Sequence, residues 1–180
     1  MGWRDKYEEL APQEIANLDE ARKWVLAHCS EPRATETPLG KVWLIRELLA
    51  KGFAQPDEVL KLQSLGILFG DALAQEIPLL SWKRVTDRFG RSPALVFGNT
   101  ALVVYPVSII QKRVQRGEVF DAIELFSAQC AHIRDVSRKP NLANRPAVSS
   151  RNWKAWIFGR LTSLRGGRGR TSSSGTDRNQ

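Results

Sequence analysis

Cysteine and histidine are scarce in this sequence of 180 residues, which contains two of each. They occur as His28-Cys29 and Cys130-x-His132, both within segments of helical periodicity. Side chains one or two positions apart on a helix diverge by about 100° or 200°, so neither pair is spaced to chelate a metal ion. No CxxC or HxxxH motif is present either. We expect no metal or other cofactor, and two buried reduced thiols rather than a disulfide.

Long apolar runs and catalytic signatures are also absent. No segment approaches the length of a membrane span, and MGWRDKYEEL at the start lacks the apolar core of a secretory signal. Lys6 stands where an N-terminal acylation motif needs Ser or Thr. There is no GxSxG elbow and no glycine-rich nucleotide loop. These absences favour a cytoplasmic protein that is not an enzyme.

Positive charge is present in excess but is confined to one end of the chain. The formal net charge is +8, and residues 139–180 alone contain nine cations and one acid. Residues 1–138 contain equal numbers of cations and acids, so this part is formally neutral. The high pI therefore describes a basic tail and does not indicate a basic nucleic-acid-binding domain.

Hydrophobic periodicity divides residues 1–138 into helices and short strands. The strands are rich in β-branched and aromatic residues, with turn signals at Gly90 and at Gly98-Asn99. We predict an α+β fold in which helices flank a small three-stranded antiparallel β-meander, followed by a disordered basic C-terminal tail at 139–180. The predicted helices cover residues 13–29, 42–52, 56–77, 106–117 and 118–138, and the predicted strands cover 82–86, 94–97 and 101–105.

The third predicted helix is the most apolar and carries two glycines on one face, Gly66 and Gly70. A glycine inside a helix costs about 1 kcal/mol relative to alanine, so the pair indicates that another backbone passes close by. We expect the meander or the fifth helix to be that neighbour, with a ligand groove as the alternative. Asp71 follows the second glycine and is predicted either to be solvated or to bond Trp82 or Arg84.

Several of these residues occur together at a spacing that resembles the bacterial domain-of-unknown-function family 3806. The resemblance covers about residues 58–116 and implies a compact α+β domain. It implies no catalytic residue. The residues that carry it are Leu65-Gly66, Gly70-Asp71-x-Leu73, Trp82-x-x-Val85-x-Asp87-x-x-Gly90, Ala94-Leu95, Pro106 and Lys112-Arg113-Val114.

Charged and aromatic residues around the first hairpin form the candidate interaction site. Basic side chains gathered there would suit an acidic protein surface or a phosphate group, although a solvated face balanced by neighbouring acids is the simpler interpretation. A small enzyme with a cleft near Asp71 and Asp87 is a further alternative. The candidate residues are Asp71, Trp82, Arg84, Asp87, Arg91, Lys112 and Arg113.

The tail contains a second candidate contact region. SRNWKAWIFGRLTSLR has apolar residues at helical spacing among cations, which predicts a short amphipathic helix near 150–165. We expect another protein to be the main partner, with nucleic acid or an anionic membrane surface as alternatives for the tail. The residues expected to make tail contacts are Trp153, Lys154, Trp156, Arg160, Arg165, Arg168 and Arg170.

Overall fold

The computed structural model describes residues 6–139, which form a mixed helical and antiparallel-sheet domain. The predicted α+β class is confirmed for this part of the chain. The helices are α1 (Pro12–Leu26), a 3₁₀ helix (Pro32–Glu36), α2 (Pro38–Ala50), α3 (Val59–Glu76), α4 (Val107–Gln115) and α5 (Ala122–Ser137), and the strands are β1 (Lys6–Glu8), β2 (Leu80–Asp87), β3 (Gly90–Phe97) and β4 (Val103–Val104).

The sheet has four strands in the order β1-β2-β3-β4, so the predicted three-stranded meander is wrong in its strand count. The additional strand β1 pairs antiparallel with β2, with Tyr7 opposite Val85. Three residues of sequence KYE are too short for the two-residue alternation that reveals a strand, so the strand exists only through its pairing. Its pairing partner lies about 80 positions further along the chain.

The central hairpin is longer than predicted, whereas the last strand is shorter. β2 and β3 pair continuously from Leu80 opposite Phe97 to Asp87 opposite Gly90, which leaves a two-residue turn. Gly90 has φ +129°, a conformation that favours glycine. In the last strand only two residues pair, because the Thr100 hydroxyl accepts from the amide of Leu102 at 3.2 Å and holds the preceding residues in a turn.

Helix boundaries differ from the sequence prediction where side chains satisfy the first backbone amides. The segment 55–58 forms a turn before α3, because the carboxylate of Glu58 accepts from the amide of Gln55 at 2.8 Å. The helix predicted from 118 begins only after Asp121, whose carboxylate accepts from two amides of the first turn. Thr37 caps α2 in the same way and moves its start to Pro38.

The apolar helix α3 is the centre of the domain, as its sequence predicts. It contacts α1, α2, α4, α5 and β2. Leu65, Phe69 and Leu73 are fully buried along its length. The Phe69 and Phe126 rings meet edge to face at 6.0 Å between centroids, which ties α3 to α5.

The two helix glycines permit two different close approaches. A Cβ atom at Gly66 would lie 2.6 Å from the carbonyl oxygens of both Pro106 and Val107, so the start of α4 rests directly on the α3 backbone. A Cβ atom at Gly70 would lie 2.5 Å from the indole of Trp82. The prediction of a close neighbour is confirmed. The meander is the correct neighbour for Gly70, but for Gly66 the neighbour is α4 rather than the meander or the fifth helix.

Candidate functional site

Asp71 lies at the centre of a polar cluster that joins α1, α3 and β2. Its carboxylate receives two hydrogen bonds from the Arg22 guanidinium, both at 2.7 Å, and a third from the Trp82 indole Nε1 at 2.9 Å. Arg22 also donates to Asp19 at 2.7 Å. Of the two predictions for Asp71, the bond to Trp82 is confirmed, and Arg22 supplies the charge partner.

The hydrogen bonds of this cluster favour the charged form of Arg22. The hydrogen bonds from Arg22 to Asp71 raise the pKa of the guanidinium against the opposing effect of burial. Both side chains are largely covered, with 26% of Arg22 and 17% of Asp71 exposed. A bidentate pair of this kind fixes both distance and angle, so the cluster positions α1 against α3.

Lys41 borders the same cluster from α2. Burial lowers its pKa, and the charge of Asp71 opposes that shift. Its ammonium donates to the side-chain oxygen of Gln75, whose amide in turn donates to the carbonyl of Glu36 at 2.7 Å. The cluster therefore continues from α3 to the segment before α2.

Arg84 and Arg91, two cations of the predicted basic site, face carboxylates. Arg84 contacts the carboxylate of Glu14 at 2.8 Å and lowers its pKa, first through this hydrogen bond and then through its charge. Arg91 is exposed on β3, and its charge lowers the pKa of Glu8 and Glu14 as a minor contribution. This part of the hairpin is a balanced face rather than a concentrated positive patch.

Asp87 serves the hairpin turn and lies far from Asp71. Its carboxylate accepts from the amide of Phe89 at 2.7 Å and from the Tyr105 hydroxyl at 3.2 Å. Trp82, which bonds Asp71, is five residues from Asp87 along β2, a separation of roughly 16 Å in a strand. The structure does not bring the two carboxylates to one place.

The two basic candidates on α4 have opposite environments. Arg113 is only 6% exposed, and its guanidinium donates to the carbonyl of Ile109 at 2.9 Å. Burial lowers its pKa to about 10, against the opposing charge of Glu118 at 4.0 Å. Lys112 is exposed. Sequence spacing placed these neighbours in one basic cluster, but adjacent helix positions point in different directions.

An apolar surface remains on the outer side of α2. Leu39 and Trp43 are 52% and 54% exposed, although both lie within a regular helix. The Arg46 guanidinium stacks over the Trp43 ring at 4.9 Å and pairs with Asp121 at 2.7 Å. Val119, two residues before Asp121, is fully exposed. We call Leu39, Trp43, Arg46 and Ala50 the outer face of α2.

Neither Arg22 nor the outer face of α2 was predicted from the sequence. Arg22 follows buried Leu18 by four positions and precedes buried Val25 by three, so an arginine there signals a buried partner. Trp43 lies off the apolar stripe formed by Val42 and Ile45. A large aromatic residue opposite the core face is the signal that would have found it.

The remaining candidates concern metal ligands, thiols and the tail. Across residues 6–139, no group of three or more His, Cys, Asp or Glu side chains could hold a metal ion. Cys130 is buried, whereas Cys29 is half-buried rather than buried as predicted, and the two thiols are free. The predicted tail contacts from Trp153 to Arg170 lie outside the described residues. No helix between residues 6 and 139 has the length and apolarity needed to cross a membrane.

Comparisons with known proteins find a match to one family model and one similar fold. Residues 41–126 match the family model of DUF3806, a domain of unknown function, which confirms the resemblance and extends it to α2 and the first turn of α5. No curated protein matches the chain. A crystal structure at 1.50 Å of a protein from Bacteroides thetaiotaomicron VPI-5482 is similar, with a TM-score of 0.60 at 16% identity. The similarity covers 73% of this chain and 49% of that one, so this chain spans about half of its structural relative.

Proposed function

We propose that this chain, whose residues 41–126 match the DUF3806 family model, is a bacterial, cytoplasmic, non-catalytic protein-interaction module. The contact surface that we assign to it is the outer face of α2. The observation that carries the proposal is Trp43, a tryptophan left half exposed in the middle of a regular helix.

The chemistry of this face is that of a protein-binding surface. Tryptophan and arginine are the residue types most enriched among those that dominate binding energy in protein interfaces. Here they form a stacked pair, Trp43 with Arg46, flanked by the exposed Leu39. Apolar side chains in such a cluster are exposed to water. A partner that covers them removes this apolar surface from water, and this burial contributes favourably to the free energy of binding.

The candidate residues chosen from the sequence support the domain rather than the contact. Asp71, Trp82 and Arg84 bond other elements of the domain, and Arg113 is buried. Removing them would disturb folding and binding together. Trp43 and Leu39 are better probes, because their exposed side chains are less involved in holding the domain together.

Affinity capture with three versions of the full-length chain tests the proposal. The wild type is compared with Trp43→Ala and with Leu60→Ala, a matched control whose leucine is 79% exposed on α3. We expect a protein retained by the wild type and Leu60→Ala to be lost with Trp43→Ala. Equal recovery with all three baits contradicts the assignment of the outer face of α2.

A second candidate function rests on the tail sequence. Residues 139–180 carry a formal charge of +8 and include Trp153 and Trp156 at helical spacing. This combination suits an anionic membrane surface, where cations meet headgroups and tryptophans insert. Trp153→Ala with Trp156→Ala should weaken sedimentation with anionic vesicles at constant charge. A gel shift with single-stranded RNA that depends instead on Arg165, Arg168 and Arg170 would favour nucleic acid.

A further inference from the structure

The outer face of α2 has the spacing of a coiled-coil seam. Leu39, Trp43, Arg46 and Ala50 are separated by four, three and four positions. At 100° per residue they fall within roughly 60° of one another around the helix axis. All four are exposed. The seam positions of a coiled coil repeat with this alternation of three and four, so the stripe is shaped to receive another helix.

The stripe is complementary to itself in one orientation. If two copies of α2 pack antiparallel about a two-fold axis at the middle of the helix, Leu39 opposes Ala50 of the partner subunit. In the same register Trp43 opposes Arg46 of the partner subunit. A large side chain then meets a small one, and an aromatic ring meets a guanidinium, which favours cation–π stacking. Two-fold symmetry produces each contact twice.

The parallel orientation of the same two helices is unfavourable. It would place Trp43 against Trp43 of the partner subunit, two bulky side chains in one layer. It would also oppose Arg46 to Arg46 of the partner subunit, two like charges. Antiparallel packing avoids both conflicts, so the sequence of the stripe selects the direction of the pairing as well as its register.

The charges around the stripe are compatible with a second copy. Arg46 pairs with Asp121 at 2.7 Å, and Glu47 pairs with Lys51 across the flank of α2. Residues 1–138 are formally neutral as a whole. Because the charges beside the stripe are paired, two copies of this face meet without local net repulsion, and the excess positive charge of each chain belongs to residues 139–180. A strongly charged foreign partner would find no excess of opposite charge there.

We infer that the partner of the outer face of α2 is a second copy of this chain, in an antiparallel two-fold dimer centred on Trp43 and Arg46. The inference rests on the proposed function of that face. The stripe is about 16 Å long, from eleven steps of 1.5 Å. One such helix face is smaller than the roughly 800 Å² per partner of a standard interface, so we expect a weak, concentration-dependent dimer.

Sedimentation equilibrium of the full-length protein tests the dimer. The average mass should rise with concentration from the 20.3 kDa of one chain toward twice that value. Trp43→Ala should lower the association constant about 10-fold or more, the effect of removing an interface hot spot. Leu60→Ala should leave it unchanged. A wild type that stays monomeric up to about 1 mM overturns the inference, as does association that survives Trp43→Ala.

The two proposals fail in different ways. A monomeric wild type that still captures a foreign protein in a Trp43-dependent manner overturns the dimer and leaves the interaction surface in place. Loss of Trp43 dependence in both sedimentation and capture removes the surface as well as the dimer.

Disulfide trapping tests the orientation of the two helices. Leu39→Cys and Ala50→Cys are introduced separately in a Cys29→Ser background, where the remaining Cys130 is 3% exposed. The antiparallel register predicts that a mixture of the two variants forms a cross-linked dimer faster than either alone. Faster cross-linking of each variant with itself indicates parallel helices and overturns the proposed geometry.

Discussion

Helices α2 and α3 are both apolar, yet they differ in how much of that apolar surface the domain covers. Along α3, Leu62, Leu65 and Phe69 are fully buried, and even Gly66 and Gly70 are covered by neighbouring elements. Along α2, one side is buried through Val42 and Ile45, while Leu39 and Trp43 stay more than half exposed on the other.

This difference separates residues that hold the domain together from residues available for binding. The buried face of α3 explains its own sequence, because each apolar or small residue there has a neighbour within the chain. The outer face of α2 does not, since Leu39 and Trp43 stay more than half exposed even though Trp43 stacks with Arg46. Substitutions at the buried face of α3 and at the outer face of α2 should therefore have opposite consequences for stability and for binding.

The largest loss of stability is expected from Gly66→Ala. The new Cβ would meet two backbone carbonyl oxygens at 2.6 Å, and backbone moves less easily than a side chain. We expect a loss of about 3 kcal/mol in the free energy of unfolding, measured with urea. Gly70→Ala should cost less, because the atoms that its Cβ would meet belong to the side chains of Trp82 and Pro106 rather than to backbone. A Gly66→Ala midpoint equal to that of Leu60→Ala would contradict the close contact between α3 and α4.

The Asp71 cluster should give the next largest effect. Asp71→Ala leaves the partly buried Arg22 with Asp19 alone and removes the acceptor of the Trp82 indole. We expect a loss of about 2 kcal/mol in unfolding free energy. A double-mutant cycle with Arg22→Ala should show a coupling of about 1 kcal/mol or more.

The exposed pair Arg116 and Glu118 is the matched control for that cycle, with side chains 44% and 35% exposed. Its coupling should be below about 0.5 kcal/mol. Coupling free energies of equal size in the two cycles would mean that burial does not strengthen the ion pair between Arg22 and Asp71.

A smaller effect is expected from the ion pair between Glu14 and Arg84, and it should depend on pH. The hydrogen bond from Arg84 holds the pKa of Glu14 below its ordinary 4.5 in the folded protein. The ion pair therefore stabilises the folded protein fully above pH 4.5. This stabilisation is lost as the pH falls through the lowered pKa of Glu14 in the folded protein. Glu14→Gln should reduce the loss of stability on acidification in urea titrations. Glu20→Gln, at an exposed position of the same helix, should not.

The smallest effect on stability is expected from Trp43→Ala. The substitution removes a half-exposed ring and its stacking with Arg46. We expect a change of about 0.5 kcal/mol in unfolding free energy, close to that of Leu60→Ala. A loss comparable to that of Asp71→Ala would show that Trp43 supports the domain and would remove the distinction between α2 and α3.

Sequence patterns predicted the parts of the fold that depend on local periodicity. The apolar stripe of α3 indicated a central helix, and the apolar-aromatic runs after Pro78 indicated the hairpin of β2 and β3. The approach of the meander to the glycines of α3 was also predicted and is confirmed at Gly70, where Trp82 is the neighbour, since this contact joins consecutive elements. These features depend on residues near each other in the chain, where spacing carries direct information.

Features that depend on distant pairing were not predicted. β1 is recognised only through its partner Val85, and Arg22 only through Asp71, 49 positions away. The burial of Arg113 follows from how α4 packs, which one helix's sequence does not specify. The exposure of Trp43 could not be predicted from the sequence of α2 either, because the number of helices that cover α2 is a property of the assembled domain.

Photo-crosslinking in the cells that make the protein tests the interaction surface most directly. A photoreactive phenylalanine analogue replaces Trp43 in one version and Leu60, the exposed control on α3, in another. We expect a defined protein adduct from position 43 and none from position 60, and the mass of that adduct identifies a second copy or another partner. No adduct from position 43, or the same adducts from both positions, would contradict the assignment of the outer face of α2 as the binding surface.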